Sequence, residues 1–71
     1  MRFSDITISK WYWFYSDAHQ CILMGRAKEK DSDPSVRRII FNKVVNADGS
    51  PAKWGYEDQT IKHFADIIKE V

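Results

Sequence analysis

The chain is poor in the residues that punctuate and cross-link a fold: its 71 residues include one cysteine, two prolines, three glycines and two histidines. A lone Cys21 excludes an intramolecular disulfide and fits a reducing compartment better than secretion. Gly25, Gly49 and Gly55 stand far apart, which excludes a glycine-rich phosphate loop and a dinucleotide fingerprint. No apolar run approaches the roughly 20 residues of a membrane-spanning helix, and Met1-Arg2-Phe3-Ser4-Asp5 lacks the apolar centre of a secretory signal. The net charge of +1 selects no partner. These absences lead to the expectation of a small soluble cytoplasmic protein with no cofactor, no metal and no membrane partner.

A chain this short is expected to form a single domain over residues 1–71. Such a domain buries only about 60% of its unfolded surface, leaving about 3–5 kcal/mol of net stability. The aromatic content of 14% offsets part of that deficit, because each ring buries about 150–250 Å².

What the chain has in quantity is rings. Trp11-Tyr12-Trp13-Phe14-Tyr15 places five aromatics in succession, and in a strand successive side chains point to opposite faces. Lys10 to Ser16 therefore reads as a strand with rings on both sides, Ser16-Asp17-Ala18-His19 as a turn, and Gln20 to Lys28 as the returning strand. With those four residues as the loop, Tyr15 opposes Gln20, Trp13 opposes Ile22 and Trp11 opposes Met24. One face then carries Trp11, Trp13, Tyr15, Ile22, Met24, Arg26 and Lys28, and the other carries Tyr12, Phe14, Cys21, Leu23, Gly25 and Ala27. Pattern alone does not say which face is core. Either the tryptophans pack under a covering element and expose Tyr12 and Phe14, or the reverse holds.

Glu29 to Ser35 reads as a charged loop, and Val36 to Val45 as a third strand with Ile39, Phe41 and Val45 opposite Ile40 and Val44. Asn46-Ala47-Asp48-Gly49-Ser50-Pro51 is a turn, with a short return strand around Ala52 to Trp54 as a fourth. At about 100° per residue, Ile61, Phe64, Ala65, Ile67, Ile68 and Val71 fall within an arc of about 160°, and Glu57 and Asp58 suit a helix N-terminus. The spacing predicts a C-terminal helix, with Trp54 as a lid at its junction. Residues 2–9 read as an edge strand through Phe3, Ile6 and Ile8, or as a helical turn capped by Ser4; the strand is the expectation. The predicted fold is α+β: a small antiparallel sheet of three or four strands with one C-terminal amphipathic helix on one face.

Candidates for chemistry are few. His19, Cys21 and His63 supply three soft ligands where zinc ordinarily takes four, and Cys21 on the apolar face is expected to be buried. His63 with Asp66 has the spacing of an oriented base, but such pairs are common on solvated helices. No motif names a reaction, so a non-enzymatic protein is expected.

The aromatic and basic face is the stronger constellation. Trp11, Trp13, Tyr15, Met24, Arg26 and Lys28 combine the residue types that dominate protein hot spots. The first expectation is a protein-interaction module, acting as a homodimer, an adaptor or an inhibitor of a larger partner; a phage or mobile-element origin suits that class. The second is nucleic-acid binding, with Trp11 and Trp13 stacking on bases while Arg26, Lys28, Arg37 and Arg38 meet phosphates. Lys10 to Lys43 carries seven basic residues against four acidic ones, and Glu57 to Val71 two against four, which has the right sense for it. Over residues 10–71, the order strand, strand, strand, helix is similar to the DNA-binding domains of plant AP2 factors and the N-terminal domains of some tyrosine integrases. That resemblance implies a sheet entering the major groove with the helix bracing it from behind.

Overall fold

The computed structural model describes residues 2–31, 33, 35–52 and 60–71, which form one antiparallel sheet. Its strands β1 (Trp11–Ser16), β2 (Cys21–Lys30), β3 (Arg38–Asn46), β4 (Thr60–His63) and β5 (Ile67–Glu70) lie in the order β4-β3-β2-β1-β5. Two 3₁₀ turns, Phe3–Asp5 and Phe64–Asp66, complete the described elements.

The connection between β4 and β5 dictates the shape. Three residues join strands that occupy opposite edges of the sheet. A flat five-stranded sheet would hold its edges about 19 Å apart, four spacings of about 4.8 Å. The four peptide steps from His63 to Ile67 reach about 14 Å at full extension, and less through a 3₁₀ turn. The sheet must therefore curl until its edges approach, giving a partly open barrel with the core inside the curl.

The predicted C-terminal helix is thus absent, and the α+β expectation is corrected to an all-strand sheet. Residues 60–71 offer barely the length at which a helix is marginal by itself, and Thr60, Ile61, Ile67, Ile68 and Val71 are β-branched. Without them β3 and β1 would be long open edges; β4 and β5 cover those edges instead. The 3₁₀ turn between them is pinned by the Ala65 N–H donating to His63 Nδ1 (3.1 Å) and the Ile67 N–H to the Phe64 carbonyl. Of the six residues assigned to the buried helix face only Ile67 is buried, while Ile61, Ile68 and Val71 are exposed. The likeness to strand-strand-strand-helix DNA-binding domains lapses with the helix.

At the N-terminus the alternative to the strand is realised, as a turn entered from Arg2 rather than capped by Ser4. Its Asp5 N–H donates to the Arg2 carbonyl (2.9 Å), and Ile6 beyond it is buried. Ala52 lies outside any strand; the rest of the predicted return strand, the Trp54 lid and the first helical turn at Glu57 and Asp58 fall outside the described residues.

The β1–β2 loop is Asp17 to Gln20, so Ser16 opposes Cys21, Tyr15 opposes Ile22, Trp13 opposes Met24 and Trp11 opposes Arg26. This register differs by two residues from the expected one. Side chains alternate with period two, so a shift of two changes every partner and leaves every face unchanged. Tyr12, Phe14, Leu23 and Ala27 form the core with Ile6, Ile39, Phe41, Val44 and Ile67. The buried Tyr12 hydroxyl accepts the Thr7 N–H at 2.7 Å, which satisfies it.

Two bulges interrupt the β2–β3 pairing. Lys43 and Val44 together oppose Gly25, with Lys43 at φ 53°, and the extra residue turns Val44 inward and Val45 outward. The expected faces of these two valines are thereby exchanged. Cys21, expected to be buried, is exposed because β2 begins there, at the rim and beyond the last core residue, Leu23.

Candidate functional site: the outer aromatic face

Because Tyr12 and Phe14 are the core members of the aromatic run, Trp11, Trp13 and Tyr15 stand on the convex side of the sheet. Tyr15 is 41% exposed and its cross-strand partner Ile22 45%. Trp11, Trp13, Met24 and Arg26 are half-buried by one another and by their neighbours. Register orders this face in rows across the strands: Lys69, Trp13, Met24 and Val45 form one, and Trp11, Arg26 and Asn42 the next.

Trp13 is held in place. Its indole Nε1–H donates to the Ala47 carbonyl at 2.9 Å, and Lys69 Nζ lies 5.5 Å from its ring centroid. The tryptophan's one donor is thus used, and Trp13 lines an open groove of about 430 Å³ together with Ile22, Ala47, Asp48, Ile68 and Lys69. A second groove of about 370 Å³ is bordered by Trp11, Met24, Lys10 and Val71.

The turn that supplies Ala47 is braced by hydrogen bonds. Gly49 takes φ 89° and donates to the Asn46 carbonyl (2.8 Å), while Ser50 donates to Asp48 Oδ1 through both its hydroxyl (2.6 Å) and its N–H (2.9 Å). The Ser50 hydroxyl, then its N–H, hold the Asp48 carboxyl below the ordinary aspartate range. Asp33 is lowered in the same way by the Ser35 hydroxyl and N–H.

The residues expected to bind a partner are therefore largely gathered: Trp11, Trp13, Tyr15, Met24 and Arg26 share the outer face. Lys28 is the extra residue of the second bulge, exposed and outside the paired rows. The cations of the nucleic-acid expectation are dispersed. Arg26 lies beside Trp11, but Arg38 is four residues before Arg26's partner Asn42 on β3, about 13 Å from it along the strand. Arg38 is paired with Asp31 at 3.0 Å, and Arg37, at φ 49°, lies over the Phe64 ring at 5.9 Å.

His19, Cys21 and His63 are not assembled: among the described residues no three His, Cys, Asp or Glu side chains form a metal-sized group. Asp66 pairs with Lys62 at 3.9 Å rather than orienting His63. Also among the described residues, no helix is long and apolar enough to cross a membrane.

Sequence reasoning left Val45, Ile68 and Lys69 out of the candidate face. The last two come from the segment read as a helix, where their β-branched neighbours were the available signal. Val45 required knowledge of the Lys43 bulge. Comparison of the chain with known protein families, characterised proteins and solved structures finds no match.

Proposed function

We propose that the protein works by binding another protein through its outer aromatic face, as a non-enzymatic adaptor or inhibitor. The observation that carries this reading is the apolar groove against Trp13, on the face of the sheet opposite the buried core. Among the described residues the buried core lies on the inner side, and the half-buried rings stand on the opposite face. A preformed apolar patch containing a fixed tryptophan, with Tyr15, Met24 and Arg26 beside it, has the composition of an interaction hot spot. The dispersal of Arg26, Arg37 and Arg38, and the engagement of Arg38 by Asp31, favour a protein partner over nucleic acid.

The test is comparative capture from a lysate of the native cells, using immobilised wild-type and Ile22→Asp protein at about 50 and about 200 mM salt. The expected result is a protein retained by the wild type at both salts and lost with Ile22→Asp. Equal retention by both proteins would contradict the reading. Retention that is sensitive to nuclease and collapses with salt would favour nucleic acid.

A further inference from the structure

β5 ends the sheet: it pairs with β1 on one side, and no strand among the described residues pairs with its other side. An open edge of this kind is a template for one more strand. The two grooves of the outer face both border it, the apolar one through Ile68 and Lys69 and a mixed one, with Trp11 and Met24 beside Ser9 and Lys10, through Glu70 and Val71. Along this edge Ile68, Lys69 beside Trp13, and Val71, whose N–H donates to the Trp11 carbonyl at 2.9 Å, border the outer face; the exposed Glu70, paired with Tyr12, stands between Lys69 and Val71 and also borders the second groove. Lys69 forms no ion pair among the described residues; its ammonium meets only the Trp13 ring.

We propose that this edge takes up an extended segment of the partner protein by strand addition. The segment carries a carboxylate facing Lys69, with a large apolar side chain two residues to either side of it on the same face. Main-chain hydrogen bonds to β5 supply the attachment, and the two grooves with Lys69 between them supply the selectivity. A second copy of this chain fits the edge poorly. Self-pairing centred on the exposed half of β5 sets Lys69 against the Lys69 of the other copy, or Glu70 against Glu70, and like charges directly opposite are destabilising.

This mode rests on the protein-binding role proposed above, and the two fail separately. Isotope-labelled protein is titrated with the capped peptide Thr-Leu-Thr-Asp-Thr-Leu-Thr and with its Lys-for-Asp counterpart, and amide shifts and hydrogen exchange are followed. The expected result is shifted amides along Ile67 to Val71, new exchange protection between Ile68 and Glu70 (the Ile67 and Val71 N–H groups already donate to the Phe64 and Trp11 carbonyls), and a shifted Trp13 indole. The Lys peptide is expected to bind about tenfold more weakly, and Lys69→Glu to reverse that order. Shifts confined to Trp13 and Ile22, with β5 unchanged, would overturn strand addition while leaving the outer face as a binding surface. Absence of any shift with both peptides, or a dimer in sedimentation joined through β5, would also overturn it. Equal capture by wild-type and Ile22→Asp protein would instead overturn the protein-binding role.

Discussion

The rings of Phe14 and Phe41 stack at a centroid distance of 4.8 Å and an interplanar angle of 22°, although β2 runs between their strands. They meet because residue 25 is glycine. A Cβ there would stand 3.0 Å from Phe14 Cε1 and 3.2 Å from Phe41 Cβ and Cδ1. Both rings are fully buried, so neither has space to retreat into. Gly25→Ala is expected to destabilise the fold by about 1–3 kcal/mol, outweighing the roughly 0.4–1 kcal/mol gained by stiffening the unfolded chain. Urea unfolding should show a lower midpoint with an unchanged slope.

The two sides of the aromatic run should respond differently to truncation. Phe14→Leu removes buried ring volume and is expected to destabilise by about 1–2 kcal/mol. Tyr15→Ala, on the exposed side, should change stability by about 0.5 kcal/mol or less. Trp13→Phe removes the hydrogen bond to the Ala47 carbonyl and is expected to fall between them, at about 0.5–1.5 kcal/mol. Denaturant unfolding of the three variants side by side checks the order.

How much of this was legible in the sequence depended on parity. The β1–β2 register was displaced by two residues, yet the faces came out right because two is the side-chain period of a strand. A single extra residue at Lys43 exchanged Val44 and Val45, and no pattern in the residues around it announces a bulge. In the C-terminal segment, Ile61, Phe64, Ile67, Ile68 and Val71 satisfy a helical period, but that period says nothing of two open sheet edges waiting for strands. Tertiary pairing overrode it, and with it went Lys69, which the outer face needs beside Trp13. Pattern separated the two ring sets; assigning one to the core required the strand order.

Lys43 lies in the left-handed region at φ 53°, where a side chain is strained. Lys43→Gly is expected to raise stability by about 0.5–1 kcal/mol, relief of strain exceeding the entropy lost by glycine. Lys43→Val should lower it by about 1–2 kcal/mol, because a branched Cβ tolerates positive φ least. Thermal midpoints of the two variants should therefore move in opposite directions.

Asp48 makes stability pH-dependent in a defined sense. Its folded pKa lies below the unfolded value of about 3.9, first through the Ser50 hydroxyl and then through the Ser50 N–H. A depressed carboxyl stabilises the fold above the unfolded value, and that contribution is lost as pH falls through the folded one. Ser50→Ala should return the Asp48 titration toward the ordinary value in a carbon-detected NMR experiment. It should also flatten the acid side of the stability profile. The same protonation should loosen the turn that carries Ala47, broadening the Trp13 indole resonance.

Cys21 is exposed at the start of β2. One equivalent of a thiol-specific reagent should therefore label the native protein without denaturant, leaving circular dichroism unchanged. Protection until unfolding would place Cys21 inside the curl instead.

The most direct test of the outer face as a protein-binding surface is site-specific photo-crosslinking in the native cells. A photoreactive residue is placed at Ile22 beside Trp13 and, as a control, at Ser35 in the β2–β3 loop. A discrete protein adduct at position 22 that is absent at position 35 is the expected result. Adducts to nucleic acid, equal adducts at both positions, or none at position 22 would contradict it.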